Sequence, residues 1–458
     1  MKILIPWQES RAATEPSQLL LGNLGYSDID RWMDTPAFSK RFDQEIWECH
    51  SNMDMYKPFT HEDENEKQFG KEIRDCDFMY DPKMTFLNHG AFGGVPRPLF
   101  ARRLQVLERI ESNPDEFFEY LVLQTWQTAV TKVAGFVGSS PSNLTFIPNA
   151  TSNGTIALQS LNLQQSDGIL ITNLTHESLR FSAAHFAKLT GAKLYCINFT
   201  FPLISKQDII DKYQEMLNDT PAVKVAILDH ITSPTAVKMP IEELIKLCRT
   251  RNVKSIIDGA HAPGQVPLNL DDLQPDFYSG NMHKWGFTPR GCAIFWVHPE
   301  LHDQVRPLIV SHNYLKGFQL EFFKQATRDY SPFIIAGAAV DYIDQIGGMA
   351  RITEYNISLR DKAVQYILKE IKGTELLGIP EDLRSPFLTI FKIPECQSKY
   401  EKNKEGSLHL RKVLFVEHKV DVYIFALQNQ LWCRFTTHIY NHFKDIIKMV
   451  EAIQKECS

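Results

Sequence analysis

The sequence has 458 residues, too many for a single hydrophobic core, so we expect two or three compact units. Its charged fraction of 23% and hydrophobic fraction of 43% are those of an ordinary globular protein. The net charge of −6, without a block of like charges, argues against a nucleic-acid-binding surface, which would need a basic stripe.

The amino-terminal residues lack the pattern of a secretory or organellar leader, because their apolar run is short and Glu9 and Glu15 are acidic. No apolar run reaches the roughly 18 residues that suggest a membrane span. The eight cysteines are scattered, without a CxxC pair or metal-ligand spacing. These features predict reduced thiols, no metal site, no membrane partner and a cytoplasmic location.

Residues 1–75 are polar and irregular and are predicted to form an N-terminal extension. A β/α pattern begins at residue 76, and apolar residues recur at helical spacing in 97–113 and 119–137. Seven apolar segments follow and are predicted to be strands: 144–149, 168–173, 193–199, 223–231, 253–261, 276–284 and 291–297. Helices are predicted between the first five of them: from about 152, and at 176–190, 206–218 and 240–251.

Continuous apolar strands separated by helices indicate a mostly parallel sheet that is covered on both faces. The sequence therefore predicts an α/β large domain, 76–333, with a seven-stranded sheet between layers of helices. The next predicted elements are a long helix, two short strands and a final helix: 334–372, 386–393, 432–441 and 443–455. This change of pattern predicts a smaller α+β C-terminal domain, 334–458.

Two charged residues follow predicted strands at the edge where α/β sheets place their binding sites. Lys284 lies in a turn after an apolar strand, and a buried lysine there could carry an aldehyde as a Schiff base. Asp258 stands at the carboxyl end of a buried strand, where a carboxylate could keep a pyridine nitrogen protonated. Taken singly, the two residues could also be a surface lysine and a turn aspartate.

Two further strand ends carry polar residues. The turn 149–155 offers the hydroxyls of Thr151 and Ser152 and the N–H groups of a helix start, which suit an anion but also describe an ordinary helix cap. His176 follows another strand, where its imidazole could stack on a flat ring or simply begin a helix. Neither GxGxxG nor GK[ST] occurs at these turns, which disfavours nucleotide cofactors and a dehydrogenase.

Three segments carry more specific motifs: FLNHGAFGGVP (86–96), IIDGAHAPGQVPLNL (256–270) and DFYSGNMHKWGFTPRGCAIF (276–295). In these motifs the sequence resembles the class V aminotransferase family of pyridoxal-phosphate enzymes, and most closely its isopenicillin N epimerase-like branch. The resemblance extends over roughly residues 80–445. It implies fold type I of these enzymes, the cofactor pyridoxal 5'-phosphate, and an amino-acid-like small-molecule substrate.

The resemblance also implies a role for each of four residues at the cofactor ring. Lys284 would carry the cofactor as a Schiff base and move the proton at Cα of the substrate. Asp258 would pair with the pyridinium nitrogen, and His176 would stack on the ring. His261 would lie near the phenolic oxygen, where the related desulfurases have Gln.

For the phosphate group, the resemblance implies contacts from Thr151 and Ser152, helped by His283. Thr327 matches a threonine that reaches the phosphate of the neighbouring subunit, so the resemblance implies a homodimer. The family usually has Gly before that threonine, whereas this chain has Ala326. Alanine can make the same turn only at a cost if its φ is positive.

For the substrate, Arg434 matches the arginine of the family that binds the substrate carboxylate. A guanidinium fork suits a carboxylate because it can donate two parallel hydrogen bonds. Asn88 and His89 fall in the loop that the family uses to line the substrate pocket.

The resemblance leaves three reactions open: epimerisation, transamination, and β-elimination of a cysteine conjugate or its sulfoxide by a C–S lyase. Cysteine desulfurases of this fold carry a mobile Cys in a loop shortly before the carboxylate-binding Arg. Here Cys433 adjoins Arg434 on a predicted strand, which argues against a persulfide relay. A non-catalytic binding protein on the same fold is the alternative of another class, and the joint presence of lysine, aspartate, phosphate turn and arginine disfavours it.

Overall fold

The computed structural model describes residues 67–394 and 399–457, which belong to one compact unit, residues 58–458. Most of the predicted N-terminal extension, 1–75, therefore lies outside the described residues. The described part of it is attached to the rest of this unit, because Gly70 N donates to the carbonyl oxygen of Ile439 over 2.5 Å.

Strands and helices alternate through the first part of the described residues. The strands are β1 Thr85–Phe86, β2 Leu144–Ile147, β3 Gly168–Thr172, β4 Lys193–Ile197, β5 Val223–Asp229, β6 Lys254–Asp258, β7 Phe277–Gly280, β8 Ala293–Val297, β9 Leu388–Lys392, β10 Val420–Asp421, β11 Tyr423–Leu427 and β12 Gln430–Thr436. The helices are α1 Lys71–Asp77, α2 His89–Phe92, α3 Arg97–Ser112, α4 Pro114–Glu116, α5 Val122–Phe136, α6 Ala150–Ser160, α7 Glu177–Thr190, α8 Lys206–Asp219, α9 Ile241–Thr250, α10 Leu270–Leu273, α11 Met282–Trp285, α12 Phe318–Phe323, α13 Ser331–Gln345, α14 Gly348–Glu370, α15 Lys404–Val416 and α16 Phe443–Cys457. A π-helix, Phe117–Leu121, joins α4 to α5.

The large sheet has seven strands in the order β2-β8-β7-β6-β5-β3-β4. Its neighbouring strands are parallel, except that β8 runs antiparallel to β2 and β7. Every position of β3 and nearly every position of β5 is buried, as expected for strands with helices on both faces. Alternate residues such as Ile169, Val225 and Ile256 form one core with α6 and α7. The predicted α/β fold, with a mostly parallel seven-stranded sheet, is confirmed.

The strand predicted at 276–284 is shorter in the structure, because β7 ends at Gly280. A side chain at Gly280 would place its Cβ 2.4 Å from Pro263, so the close approach of the two segments requires glycine. Lys284 then lies on the single helical turn α11 instead of in an open turn. The correction matters for the site, since a helical turn fixes the direction of the lysine side chain more firmly.

The second sheet contains the strands β11, β12 and β9 in that order, all antiparallel. β9 and β12 confirm the two strands predicted in this region. β11 was not predicted, because its turn is made by Gln428 and Asn429, with φ of 50° and 55°, and not by glycine. The predicted helix 334–372 is divided into α13 and α14 at Gly347 and Gly348, which have φ of 100° and 76°.

The division into a large and a small domain remains a prediction. The C-terminal sheet packs with α14, α15 and α16 in a core of its own, which includes Leu410 and Ile446. However, α13, which follows the predicted boundary at 333, packs on α3 and α5. Helix α13 therefore packs against helices of the predicted large domain, although it begins near the predicted boundary and continues into the small one.

The cysteines differ in one respect from the prediction that all are reduced. Five free thiols occur in the described residues, at Cys76, Cys196, Cys248, Cys292 and Cys433. Cys457 is disulfide-bonded, so the prediction is wrong at that position. Within the described residues, no helix is long and apolar enough to cross a membrane.

Candidate active site

Lys284 is a buried lysine, with 9% of its surface exposed. Its Nζ lies 3.1 Å from Nε2 of His261. Burial lowers the pKa of Lys284 to about 8; Asp258 opposes this shift and Arg434 adds to it. A lysine of this kind has a far larger neutral fraction near neutral pH than an exposed one, which is the form that attacks an aldehyde.

Covalent binding of pyridoxal phosphate to the apoprotein is therefore expected to accelerate with pH and to level off above about 8. The sign follows because deprotonation makes Nζ nucleophilic, and burial moves that deprotonation to lower pH. Stopped-flow absorbance from pH 6 to 10 would measure it. A rate that keeps rising towards the ordinary lysine value of about 10.4 would contradict the lowered pKa.

His261 connects the lysine to the neighbouring turn. Its Nδ1 accepts a hydrogen bond from the indole N–H of Trp285 at 3.4 Å, and its Nε2 lies 3.3 Å from the hydroxyl of Ser233. Burial lowers the pKa of His261 well below its usual value, so the ring is neutral. With Nδ1 as the acceptor, the proton is on Nε2, where it can be donated to Ser233 or to a neutral Lys284 amine.

Asp258 stands at the end of β6, and its Oδ1 accepts a hydrogen bond from Ala260 N at 3.0 Å. His176 begins α7, where its Nδ1 accepts from Ser178 N at 3.3 Å. Burial lowers the pKa of His176; the charge of Asp258 raises it and that of Lys284 lowers it. The imidazole is thus within electrostatic reach of both residues, and the structure brings three of the predicted strand-end residues together.

The start of α6 lies against the start of α7, because the hydroxyls of Thr151 and Ser178 are 3.1 Å apart. Asn149 caps α6 by accepting from both the N–H and the hydroxyl of Ser152, at 3.1 and 3.2 Å. Asn281, just before α11, accepts from Ala150 N at 2.9 Å. The predicted phosphate turn is therefore fixed by Asn281 to the segment that carries Lys284, and sequence reasoning missed both Asn281 and the cap Asn149.

Two of the residues predicted near the phosphate have other surroundings. His283 bonds through Nδ1 to the carbonyl oxygen of Cys292 at 3.0 Å, and burial lowers its pKa to about 4, with a further contribution from Lys284. Thr327 lies on an exposed turn, where Ala326 has φ of 57°. The departure from glycine at 326 is therefore a left-handed alanine, a conformation that costs about 1–2 kcal/mol.

Arg434 is buried on β12, with 3% of its surface exposed. Its Nη1 donates to the carbonyl oxygen of Ser233, and its Nη2 donates to Oδ1 of Asn88 at 3.3 Å. The guanidinium carbon lies 4.7 Å from the centre of the Tyr423 ring, and Nε has no partner among the described residues. Burial lowers the pKa of Arg434 to about 10. A buried cation without a carboxylate partner in this part of the chain suits an anionic ligand.

His89, which was predicted to line the substrate pocket, bonds within the protein through both ring nitrogens. The ring is fully buried, with Nε2 2.8 Å from the carbonyl oxygen of Lys284 and Nδ1 2.8 Å from the hydroxyl of Tyr440. Burial lowers the pKa of His89 to about 3, so its ring is neutral. One ring nitrogen therefore donates a hydrogen bond, to the carbonyl oxygen of Lys284, and the other accepts one, from the Tyr440 hydroxyl. His89 supports the turn that carries Lys284, and its neighbour Asn88 holds Arg434.

An open cleft lies beside the site and is lined by His176, Ser233 and Tyr423 among others. Its walls come from four segments: 173–177 with Arg180, 233–235, Lys404 with 407–408, and 423–427. Ser233 and Tyr423 therefore belong to the site, although sequence reasoning missed both. The turn containing Ser233 follows β5, and only the strand order of the folded sheet places that strand end next to β6.

The residues present fit pyridoxal phosphate. Lys284 supplies a buried amine for the aldehyde, and Asp258 supplies a carboxylate for the ring nitrogen. The starts of α6 and α7 supply N–H and hydroxyl groups for a phosphate. The unpaired Nε of Arg434 leaves a buried donor for the carboxylate of an amino acid.

The model of a family described as aminotransferase class V matches residues 110–449. The chain is 24% identical to hercynylcysteine sulfoxide lyase of Schizosaccharomyces pombe over 399 residues, which is 85% of this chain and 98% of that protein. It is 25% identical to isopenicillin N epimerase of Amycolatopsis lactamdurans, over 82% of this chain and 96% of that protein. Among solved structures, the cystine C–S lyase C-DES in complex with cysteine persulfide superimposes with a TM-score of 0.70 at 19% identity, covering 82% of this chain and 99% of that one.

Proposed function

Since the chain belongs to the class V aminotransferase family and is a pyridoxal-phosphate-dependent enzyme, we propose that it is a C–S lyase. It would break the Cβ–S bond of a cysteine conjugate, or of its sulfoxide, without a protein persulfide. The observation that carries this proposal is the contact between Nζ of Lys284 and Nε2 of His261, 3.1 Å apart, which holds one amine base at the site. β-Elimination requires one base, whereas epimerisation requires a second base on the opposite face of Cα.

The roles of the residues follow from their contacts. Arg434 would bind the substrate carboxylate with its fork, held in place by Asn88 and Ser233. Pyridoxal phosphate, when bound, supplies an electron sink for the pair left at Cα. Lys284 Nζ would accept the Cα proton, and the pair of the Cβ–S bond would leave with sulfur, which takes up a proton. Asp258 would keep a proton on the ring nitrogen, and His176 would cover the ring.

The cleft supports a conjugate as the substrate more than free cysteine. It continues from Ser233 and Tyr423 along β11, where Phe425 and Leu427 line it, to Leu408 on α15. Arg180 and Lys404 line it as well and add positive charge. The cleft extends over four chain segments, more than a three-carbon amino acid can contact, and its apolar walls suit the group attached to sulfur.

The proposal is tested with a panel of L-cysteine, S-alkyl and S-aryl conjugates and their sulfoxides. Keto acid, released sulfur product and deuterium uptake at Cα are measured separately in each reaction. Equal amounts of keto acid and sulfur product support the lyase. Deuterium uptake with inversion and no keto acid would show an epimerase, and a keto acid that keeps its sulfur would show a transaminase.

Replacing Cys433 with alanine is expected to leave kcat/KM within about threefold of the wild-type value, while lowering the free energy of unfolding by about 1–2 kcal/mol. The thiol has no exposed surface, packs in the core of the C-terminal sheet, and has its pKa raised by burial. Sulfur release and thermal unfolding are the measurements, with the exposed Cys196→Ala as the matched control. A folded Cys433→Ala variant that released no sulfur would indicate a persulfide relay.

A homodimer is part of the same proposal, and the apolar segment after β8 supports it. Leu308, Ile309 and Val310 are about half exposed, at 47%, 55% and 58%. Ser311, which follows them, accepts from Ala326 N at 3.1 Å, so this segment lies beside Thr327. A second copy covering these residues would bring Thr327 towards the neighbouring site, and sedimentation velocity would detect the dimer.

A division into two domains at residue 333 and a cytoplasmic location belong to the same proposal. The two separate cores support the division, and the exposed free thiols of Cys76 and Cys196 support a reducing compartment. The disulfide at Cys457 argues in the other direction.

A further inference from the structure

Asp229 is a buried carboxylate that the proposed reaction does not use. It ends β5, with 4% of its surface exposed, and is the register partner of Asp258 on the adjacent parallel strand. The two side chains face the same side of the sheet, since Val225 and Ile227 share one core with Ile256. That side carries α7, which begins immediately after His176.

The carboxyl group of Asp229 holds the segment between β3 and α7. The hydroxyl of Thr175 and the backbone N–H of His176 lie next to this carboxyl group, and hydrogen bonding from them lowers the pKa of Asp229 against the larger effect of burial. Thr175 is in turn bonded to Thr172, whose N–H donates to the Thr175 hydroxyl at 3.1 Å. The strand end, the loop and the first residue before α7 are thereby tied to the end of β5.

The surroundings of Asp229 favour the neutral form of its carboxyl group. Burial raises its pKa well above the usual value, and the charge of Asp258 raises it further; the bonds from Thr175 and His176 oppose the shift only in part. An amide in place of the Asp229 carboxyl would be neutral and could accept the same hydrogen bonds.

We propose that Asp229 is a positioning residue, which fixes the His176 segment against the end of β6 so that His176 and Asp258 meet one cofactor ring at its face and its edge. The inference rests on the proposed cofactor site and extends it by a residue that does not touch the ring. The cost of losing Asp229 is twofold: the N–H of His176 is left without its acceptor, and the imidazole is no longer held over the ring.

The test is titration of the full-length apoprotein with pyridoxal phosphate, following absorbance, for Asp229→Ala and Asp229→Asn. Asp229→Ala is expected to weaken cofactor binding about 10- to 100-fold and to shift or broaden the absorbance band of the bound cofactor. Asp229→Asn is expected to bind the cofactor within about threefold of wild type, with an unchanged band, because its amide oxygen can accept the same two bonds. Thr175→Val should weaken binding less, and its effect should not add to that of Asp229→Ala.

Asp77→Ala is the matched control, because Asp77 is also a buried carboxylate, bonded to Tyr342 and Lys67. It should lower the unfolding temperature and leave the cofactor affinity of the folded protein unchanged. Wild-type affinity and spectrum in a folded Asp229→Ala variant would overturn the inference, and so would an Asp229→Asn variant as weak as Asp229→Ala. These measurements report cofactor binding and not C–S cleavage, so the inference and the proposed lyase activity can fail separately.

Discussion

Replacing Lys284 with alanine is expected to reduce turnover of every amino-acid substrate by at least about 10³-fold, while the apoprotein stays folded. The variant loses both the amine that would bind the cofactor and the base at Cα. Folding should survive, because burial opposes the charged form of this lysine and its removal leaves no new cation unpaired. Keto-acid release, sulfur release and deuterium uptake at Cα should all fall together.

Borohydride reduction gives a second readout for the same residue. In the wild-type protein it should attach the cofactor covalently to the peptide that contains Lys284, and in Lys284→Ala no peptide should be labelled. Lys193→Ala is the control, because Lys193 is an exposed lysine on β4. Normal turnover by Lys284→Ala would show that another residue carries the cofactor.

Replacing Arg434 with alanine is expected to lower kcat/KM on the order of 100-fold or more, mainly through KM, with the absorbance of the bound cofactor intact. The guanidinium has an Nε without a partner among the described residues, and it bonds to Asn88 and to Ser233, which lines the cleft. Removal of its charge should also raise the pKa of Lys284, because Arg434 contributes to the lowering of that pKa. The pH profile of cofactor binding should therefore move to higher pH.

Two variants distinguish the paired hydrogen bonds that Arg434 can donate from the effects of its charge and its packing. Arg434→Lys keeps a cation but cannot donate two parallel bonds, so a smaller rise in KM is expected. The Cζ atom of Arg411 also lies over the Tyr423 ring, 5.3 Å from its centre. Arg411→Ala removes this second guanidinium and should leave KM nearly unchanged. Loss of the cofactor absorbance in Arg434→Ala would contradict a role in substrate binding.

Sequence reasoning placed the main site residues because of one general property of parallel sheets. The carboxyl ends of adjacent parallel strands meet at one edge, so Asp258 after β6 and Lys284 after β7 had to come close together. The same rule predicted His176 and the start of α6. It did not find Asp229 or Ser233, because the order of strands, which sets β5 beside β6, is not written in the local pattern.

Other parts of the site depend on contacts between distant segments. His89 was assigned to the substrate pocket from its loop, but its two nitrogens bond to Tyr440 and to the backbone of Lys284, which are 351 and 195 residues away. Arg434 was found through the family motif, whereas its supports, Asn88 and Ser233, are 346 and 201 residues away. No local sequence pattern predicts contacts between residues so far apart in the chain.

The sequence by itself determined the alternation of strands and helices, the residues at the strand ends and the presence of an amine, a carboxylate and an arginine for one cofactor and one substrate. The tertiary structure decided which of these are buried, and therefore that the pKa of Lys284 falls to about 8 and that Arg434 has no carboxylate partner within the described residues. The physical reason is that periodicity and turn chemistry act over a few residues, whereas desolvation and charge interactions depend on every segment that packs around a group.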